Sequence, residues 1–135
     1  MIRYYFASRY SNNKLMREYR DILEKTVLNC EVTSRWIDQH GGMLLNSLVL
    51  EKLNSYPDEC WEYGQKDLDD IDDANVVVSF TGEGGKGGRH VEYGYGLATG
   101  KRMIIVGSRE NVFHTHPHVE HYYTFEEFLE HEKEA

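Results

Sequence analysis

Along the chain, short apolar runs alternate with longer stretches whose apolar residues recur at helical spacing. "IRYYFA" is short and aromatic and predicts a first strand. The polar turn "SRYSNNK" follows, with Ser11 or Asn12 as the expected N-cap of the next helix. In "KLMREYRDILEKTVL" the residues Leu15, Tyr19, Ile22, Leu23 and Val27 fall on one helical face, with charges opposite. "CEVTSRWI" is β-rich and predicts a second strand, after which "DQHGG" breaks the chain. "MLLNSLVLEKLNSY" reads as a helix or an irregular insertion ended by Pro57. "WEYGQKDLDDIDDA" has a helical pattern, with Trp61, Leu68 and Ile71 expected to face inward and its acidic run to form mostly a solvated face. "NVVVSF" is continuously apolar, as a strand covered on both faces would be. A glycine-rich loop and a helix follow, then the strand "RMIIVGS" and a short strand in "HVEHYY". "TFEEFLEHEKEA" predicts a closing helix, whose Thr124 and Glu127 match a capping box.

This alternation predicts an α/β fold on a mostly parallel sheet of about five strands. No internal repeat or interdomain linker interrupts it, so residues 1–135 read as a single domain with an insertion around 40–56. In such sheets ligands sit at the carboxyl ends of the strands. Ser8, Arg9 and Tyr10, after the first strand, then share a rim with residues 81–92.

Composition narrows the field. A formal net charge of -8 argues against binding a nucleic-acid polymer, although a few local cations can still hold a small anion. Two cysteines, Cys30 and Cys60, make no disulfide framework and fit a reducing, cytoplasmic setting. The N-terminus lacks a signal-peptide pattern, and no window approaches the ~18 apolar residues of a membrane span.

Candidate chemistry concentrates in "TGEGGKGGRHVEYGYGLATGKRMIIV". The run from Gly82 to Gly87 formally matches G-x-G-x-x-G after a strand, but it comes late in the chain, and Lys86 is followed by glycine rather than the Ser or Thr of a Walker loop. Both named phosphate motifs therefore fail. Glu92 has two readings. In a helix's first turn an acid complements the dipole by ~0.3–1 kcal/mol. At a strand-to-helix rim an ionised carboxylate also suits a nucleophile for glycosyl chemistry, whose transition state carries oxocarbenium character. Arg9, Lys86 and Arg89 together could bind a phosphate. Asp67 heads the run Asp69, Asp70, Asp72, Asp73, and one of these acids facing the rim could donate a proton. His114, His116 and His118 alternate, with His121 near, but Pro117 interrupts them and no metal motif is completed, so a loop or subunit contact is the better expectation.

Several segments together resemble the nucleoside 2-deoxyribosyltransferase-like superfamily. They are "YYFASRY", "KDLDDIDDANVVVSF" and the motif Gly88-Arg-His-Val-Glu92-Tyr-Gly94 followed by Gly100-Lys101. That superfamily includes deoxyribosyltransferases, 2′-deoxynucleoside 5′-phosphate N-hydrolases and cytidylate N-glycosidases, and the "G-x-H-V-E" form looks most like the last. The resemblance implies a flavodoxin-like three-layer sandwich and cleavage of an N-glycosidic bond. It implies that Glu92 attacks C1′ of the sugar, that Tyr5 orients that carboxylate and that Asp67 contacts or protonates the base. It places Ser8, Arg9, Gly88 and His90 around a 5′-phosphate, with Lys86 and Arg89 near. Lys86 stands where transferases of free nucleosides carry an aspartate, and Ala74-Asn75 replaces the usual Ala-Asp. The lysine favours a phosphorylated substrate. The resemblance further implies no cofactor, a nucleotide or nucleoside as partner, and a homodimer or higher homo-oligomer to which the "ENVFHTHPH" loop contributes. The alternative from a different class is a nucleotide-binding or sensor domain without turnover.

Overall fold

Every strand pairing in the sheet is parallel, as continuous apolar strands covered on both faces require. A computed structural model of the protein describes residues 1–38, 49–82 and 87–134. The strands are β1 (Ile2–Ala7), β2 (Cys30–Val32), β3 (Val76–Phe80), β4 (Arg102–Val106) and β5 (Val119–Tyr122), ordered β2-β1-β3-β4-β5. The helices are α1 (Asn13–Thr26), α2 (Val49–Ser55), α3 (Pro57–Asp72), α4 (Gly88–Ala98) and α5 (Phe125–Glu134). This is the flavodoxin-like order, and its topological switch point lies between β1 and β3.

Alternation along β1 divides the core. Phe6 packs edge-on against Phe80, and Phe80, Tyr19 of α1 and Phe125 of α5 form one aromatic cluster, with Tyr19 and Phe125 stacked at 3.9 Å. Tyr5 points to the other face, which α3 and α4 cover. All five residues of β3 are buried. Each such Val or Phe contributes about 1.5–3 kcal/mol when removed from water. Among the described residues no helix is long and apolar enough to cross a membrane.

Some local expectations are corrected. The second strand stops at Val32, and 35–38 form a 3-10 turn. Side chains replace the ladder there: the Phe6 amide donates to Ser34 Oγ at 2.6 Å, and the Trp36 indole donates to the Phe6 carbonyl at 2.8 Å. On α1 the buried stripe runs through Met16 and Leu23 on to Val27, with Tyr19 partly covered, while Leu15 and Ile22 stay exposed. Trp61 is exposed too; α3 begins at Pro57 and buries Asp70 and Ile71. Asn12 precedes α1 but makes no capping bond, since its amide donates to Ser8 Oγ at 3.2 Å. The Thr124 cap is formed, with the Glu127 amide donating to Thr124 Oγ1 at 3.1 Å. Of the expected insertion, 40–48 lie outside the described residues and 49–55 form α2.

Candidate active site

Helix α4 brings Glu92 to the sheet. Gly87, at φ 94°, turns the chain into the helix, a conformation that suits glycine. Glu92 is the fifth residue of α4, so it sits beyond the first turn and the dipole-capping reading loses its ground. One turn on, on the same face, Gly96 lies against β3. A Cβ there would stand 2.7 Å from Val77 Cγ2 and 3.1 Å from Met103 Sδ. The missing side chain lets α4 approach the sheet closely, and Glu92 then reaches the Tyr5 hydroxyl, which donates to its Oε2 at 2.8 Å. Tyr5 is completely buried in β1, so the donor is fixed by the core.

Asp67 of α3 completes the constellation by sharing a hydrogen bond with Glu92. Burial raises the Asp67 carboxyl to about 6, with the Glu92 hydrogen bond pulling the other way. Burial also raises Glu92 well above the usual carboxylate range, reinforced by Asp67, while the Tyr5 hydroxyl opposes the shift. Two carboxyl groups in one desolvated contact hold a single proton between them near neutrality. Tyr5 itself is pushed well up, first by burial and then by Glu92, and so remains a hydrogen-bond donor. A pair that shares one proton can present one carboxylate and one carboxylic acid.

Asp70 and Arg35 were not singled out by the sequence pattern. Asp70 is only 3 % exposed within a run expected to be solvated. The Arg35 amide donates to its Oδ2 at 3.0 Å, and Arg35 Nε donates to its Oδ1 at 2.8 Å. The i, i+3 spacing of Asp67 and Asp70 was the available signal, because it puts both acids on one helical face.

The expected anion-binding residues part company. Ser8 is buried at the end of β1, and Arg9 follows it, half-buried. Gly88 opens α4 and is exposed, and His90 lies in the first turn of that helix with its Nδ1 buried and without a hydrogen-bond partner among the described residues. Arg89 is 8 % exposed and already engaged: it donates to Glu110 at 2.6 and 3.2 Å and to the Gly82 carbonyl at 2.9 Å. It tethers the start of the glycine loop to the segment after β4. Lys86 lies outside the described residues.

The histidines serve that same segment. His114 is buried, and its Nδ1 accepts from the Glu110 amide at 3.0 Å; burial lowers its pKa. Its ring packs against Tyr93 and His90, while the Tyr93 hydroxyl donates to the Phe113 carbonyl at 2.6 Å. His121 Nε2 bonds the Gly107 carbonyl at 2.6 Å. Among the described residues no three His, Cys, Asp or Glu side chains converge as a metal site.

No protein-family model matches the chain, and no curated protein matches its sequence. Among solved structures it is similar to the Clostridium botulinum CMP N-glycosidase BcmB, with a TM-score of 0.60 and 21% identity over 96% of each chain. At that identity the likeness is one of fold: the chain shares the flavodoxin-like three-layer α/β sandwich of that structure, the architecture that the resemblance to the nucleoside 2-deoxyribosyltransferase-like superfamily implies.

Proposed function

We propose that the protein cleaves the N-glycosidic bond of a nucleoside 5′-monophosphate with a 2′-deoxy sugar. The observation that carries this reading is the chain Tyr5–Glu92–Asp67, a buried donor, a carboxylate and a second acid at the switch point of the sheet. In the productive state the shared proton sits on Asp67 and Glu92 is ionised, with the Tyr5 hydroxyl holding Oε2. The Glu92 carboxylate attacks C1′. The bond from C1′ to the base nitrogen breaks, its electron pair goes to the base, and Asp67 supplies the proton. The product of this half-reaction is a glycosyl ester on Glu92. Water then attacks C1′, Asp67 takes its proton, and Glu92 leaves as the carboxylate. A second base in place of water makes the same chemistry a transfer.

The phosphate faces Ser8, Arg9, Gly88 and His90, and Lys86, by its place in the sequence, is a further candidate ligand. Arg89 acts through that loop, since its guanidinium is already paired with Glu110. The active form is a homo-oligomer, and the loop carrying the exposed Val112 and Phe113 contributes to its interface.

The test is base release from deoxynucleoside and nucleoside 5′-monophosphates and from free nucleosides, with and without an acceptor base. Glu92→Gln reduces release by about 10³-fold or more, as expected for loss of a nucleophile. Wild-type rates in that variant overturn the mechanism. Tight nucleotide binding without base release, unaffected by Glu92→Gln, makes the protein a sensor instead.

A further inference from the structure

Resting on the reading that Glu92 and Asp67 perform the chemistry, we infer that Asp70, clamped by Arg35, is a positioning residue that acts through Asp67 to keep one proton on the Glu92–Asp67 pair. Asp70 follows Asp67 by three residues on α3, so the two carboxyl groups lie on one helical face, Asp70 buried and Asp67 partly so. Its geometry is tightly held. Both oxygens are occupied by Arg35, and the Asp70 carbonyl accepts from Thr33 Oγ1 at 2.8 Å. The turn after β2 thus fixes the acid in place.

A tether alone does not need this charge. An asparagine would accept the Arg35 amide equally well, and a buried carboxylate carries a desolvation cost that a neutral amide avoids. What the charge adds is a field. The groups around the pair come from every element packed there: the Tyr5 hydroxyl from β1, Glu92 from α4, Asp70 from α3, and Arg35 from the turn after β2, with Asp73 beside Asp70 on the helix. Asp70 is the third acid of this cluster, and Arg35 its cation. Like charge drives a proton onto Asp67 and Glu92, and the Arg35 guanidinium opposes it at Asp67. The Arg35 side chain is 57% exposed while Asp70 is 4%, so solvent screens the cation more than the acid. The net field therefore favours retention of the proton that a departing base needs.

The experiment is a titration of the Asp67 and Glu92 side-chain carboxyl carbons by NMR, on the protein without substrate, in wild type, Asp70→Asn and Arg35→Gln. Asp70→Asn moves the upper midpoint of the pair, at which its last proton leaves, down by about half a pH unit or more, and Arg35→Gln moves it up. Opposite signs are the signature, because loosening of the tether alone moves both variants alike. Midpoints that stay within about 0.2 units of wild type, or that shift in one direction in both variants, overturn the inference. Arg35→Gln changes a mostly exposed side chain and still decides the question if Asp70→Asn does not fold. The alkaline limb of base release shifts with the upper midpoint. A wild-type protein that releases no base removes the functional reading, while the carboxyl titration continues to decide this one.

Discussion

The Tyr5 hydroxyl and the Glu92 carboxylate meet at 2.8 Å across 87 residues of sequence, one from the middle of a buried strand and one from the second turn of a helix. Tyr5→Phe keeps the ring in the core and removes only the donor. Stability then changes by about 1 kcal/mol or less, and base release falls by roughly 10–100-fold. The loss appears in kcat, because the bond serves the reacting carboxylate. Thermal melts and steady-state kinetics on the same sample check both parts.

Asp67 links activity to pH and stability. Its pKa is raised from an ordinary 3.8 to about 6 in the folded chain, first by burial. Between those values the folded chain keeps a proton that the unfolded chain releases. This contribution to stability is fully present below about pH 4 and is lost as pH rises through 6. Asp67→Asn is therefore more stable than wild type at pH 8, by on the order of 1–2 kcal/mol, and the gap closes toward pH 4. The same variant releases base about 10²-fold more slowly. Denaturation midpoints at several pH values, set beside rates, test the pairing of a gain with a loss.

Base release itself follows a bell-shaped pH profile. It rises as the pair gives up its first proton and falls as it gives up the second, because the reaction needs one carboxylate and one carboxylic acid. Asp67→Asn removes one of the two groups and leaves a single limb. A wild-type profile that is flat from pH 5 to 9 contradicts the shared-proton state.

Gly96→Ala tests how α4 is seated. The added methyl meets Val77 Cγ2 at 2.7 Å within a filled core. Relief requires the helix to move outward, which costs about 1–3 kcal/mol and draws Glu92 away from Tyr5. Activity falls further than stability alone accounts for. Val77→Ala in the Gly96→Ala background restores room for the methyl and recovers part of the rate.

Arg89→Ala distinguishes a tether from a phosphate ligand. The guanidinium is bound to Glu110 and to the Gly82 carbonyl. The variant lowers the melting temperature by several degrees, as loss of a mostly buried, bidentate pair implies. The ratio of kcat/KM for a nucleoside monophosphate to that for the free nucleoside changes little. A selective loss with the monophosphate makes Arg89 a direct phosphate ligand.

Much of this was legible in the chain. Apolar runs of strand length separated by amphipathic segments specify an α/β sheet, since a strand covered on both faces must be largely apolar, as β3 is at every position but Ser79. The capping signal at Thr124 was local and was read directly. Less legible was anything that depends on which way a short segment leaves the sheet. "CEVTSRWI" has β-forming residues throughout, yet Ser34 and Trp36 satisfy the Phe6 backbone with side chains and end the strand at Val32. The inward stripe of α1 kept Tyr19, Leu23 and Val27 but took Met16 and left Leu15 and Ile22 outside, because apolar residues at both 15 and 16, and at both 22 and 23, leave the helix's rotation open until it packs.

The sequence by itself determined the class of fold, and it singled out Glu92, Tyr5 and Asp67 through a motif resemblance. Periodicity and short motifs report what neighbouring residues do together. Only the tertiary structure decided that Glu92 lies beyond the capping turn, bonded to Tyr5 and Asp67. It also decided that Asp70 is buried against Arg35 and that Arg89 is already paired with Glu110. These facts depend on groups far apart in sequence becoming desolvated together, and a charge's protonation state and partners are set by that shared environment rather than by its place in the chain.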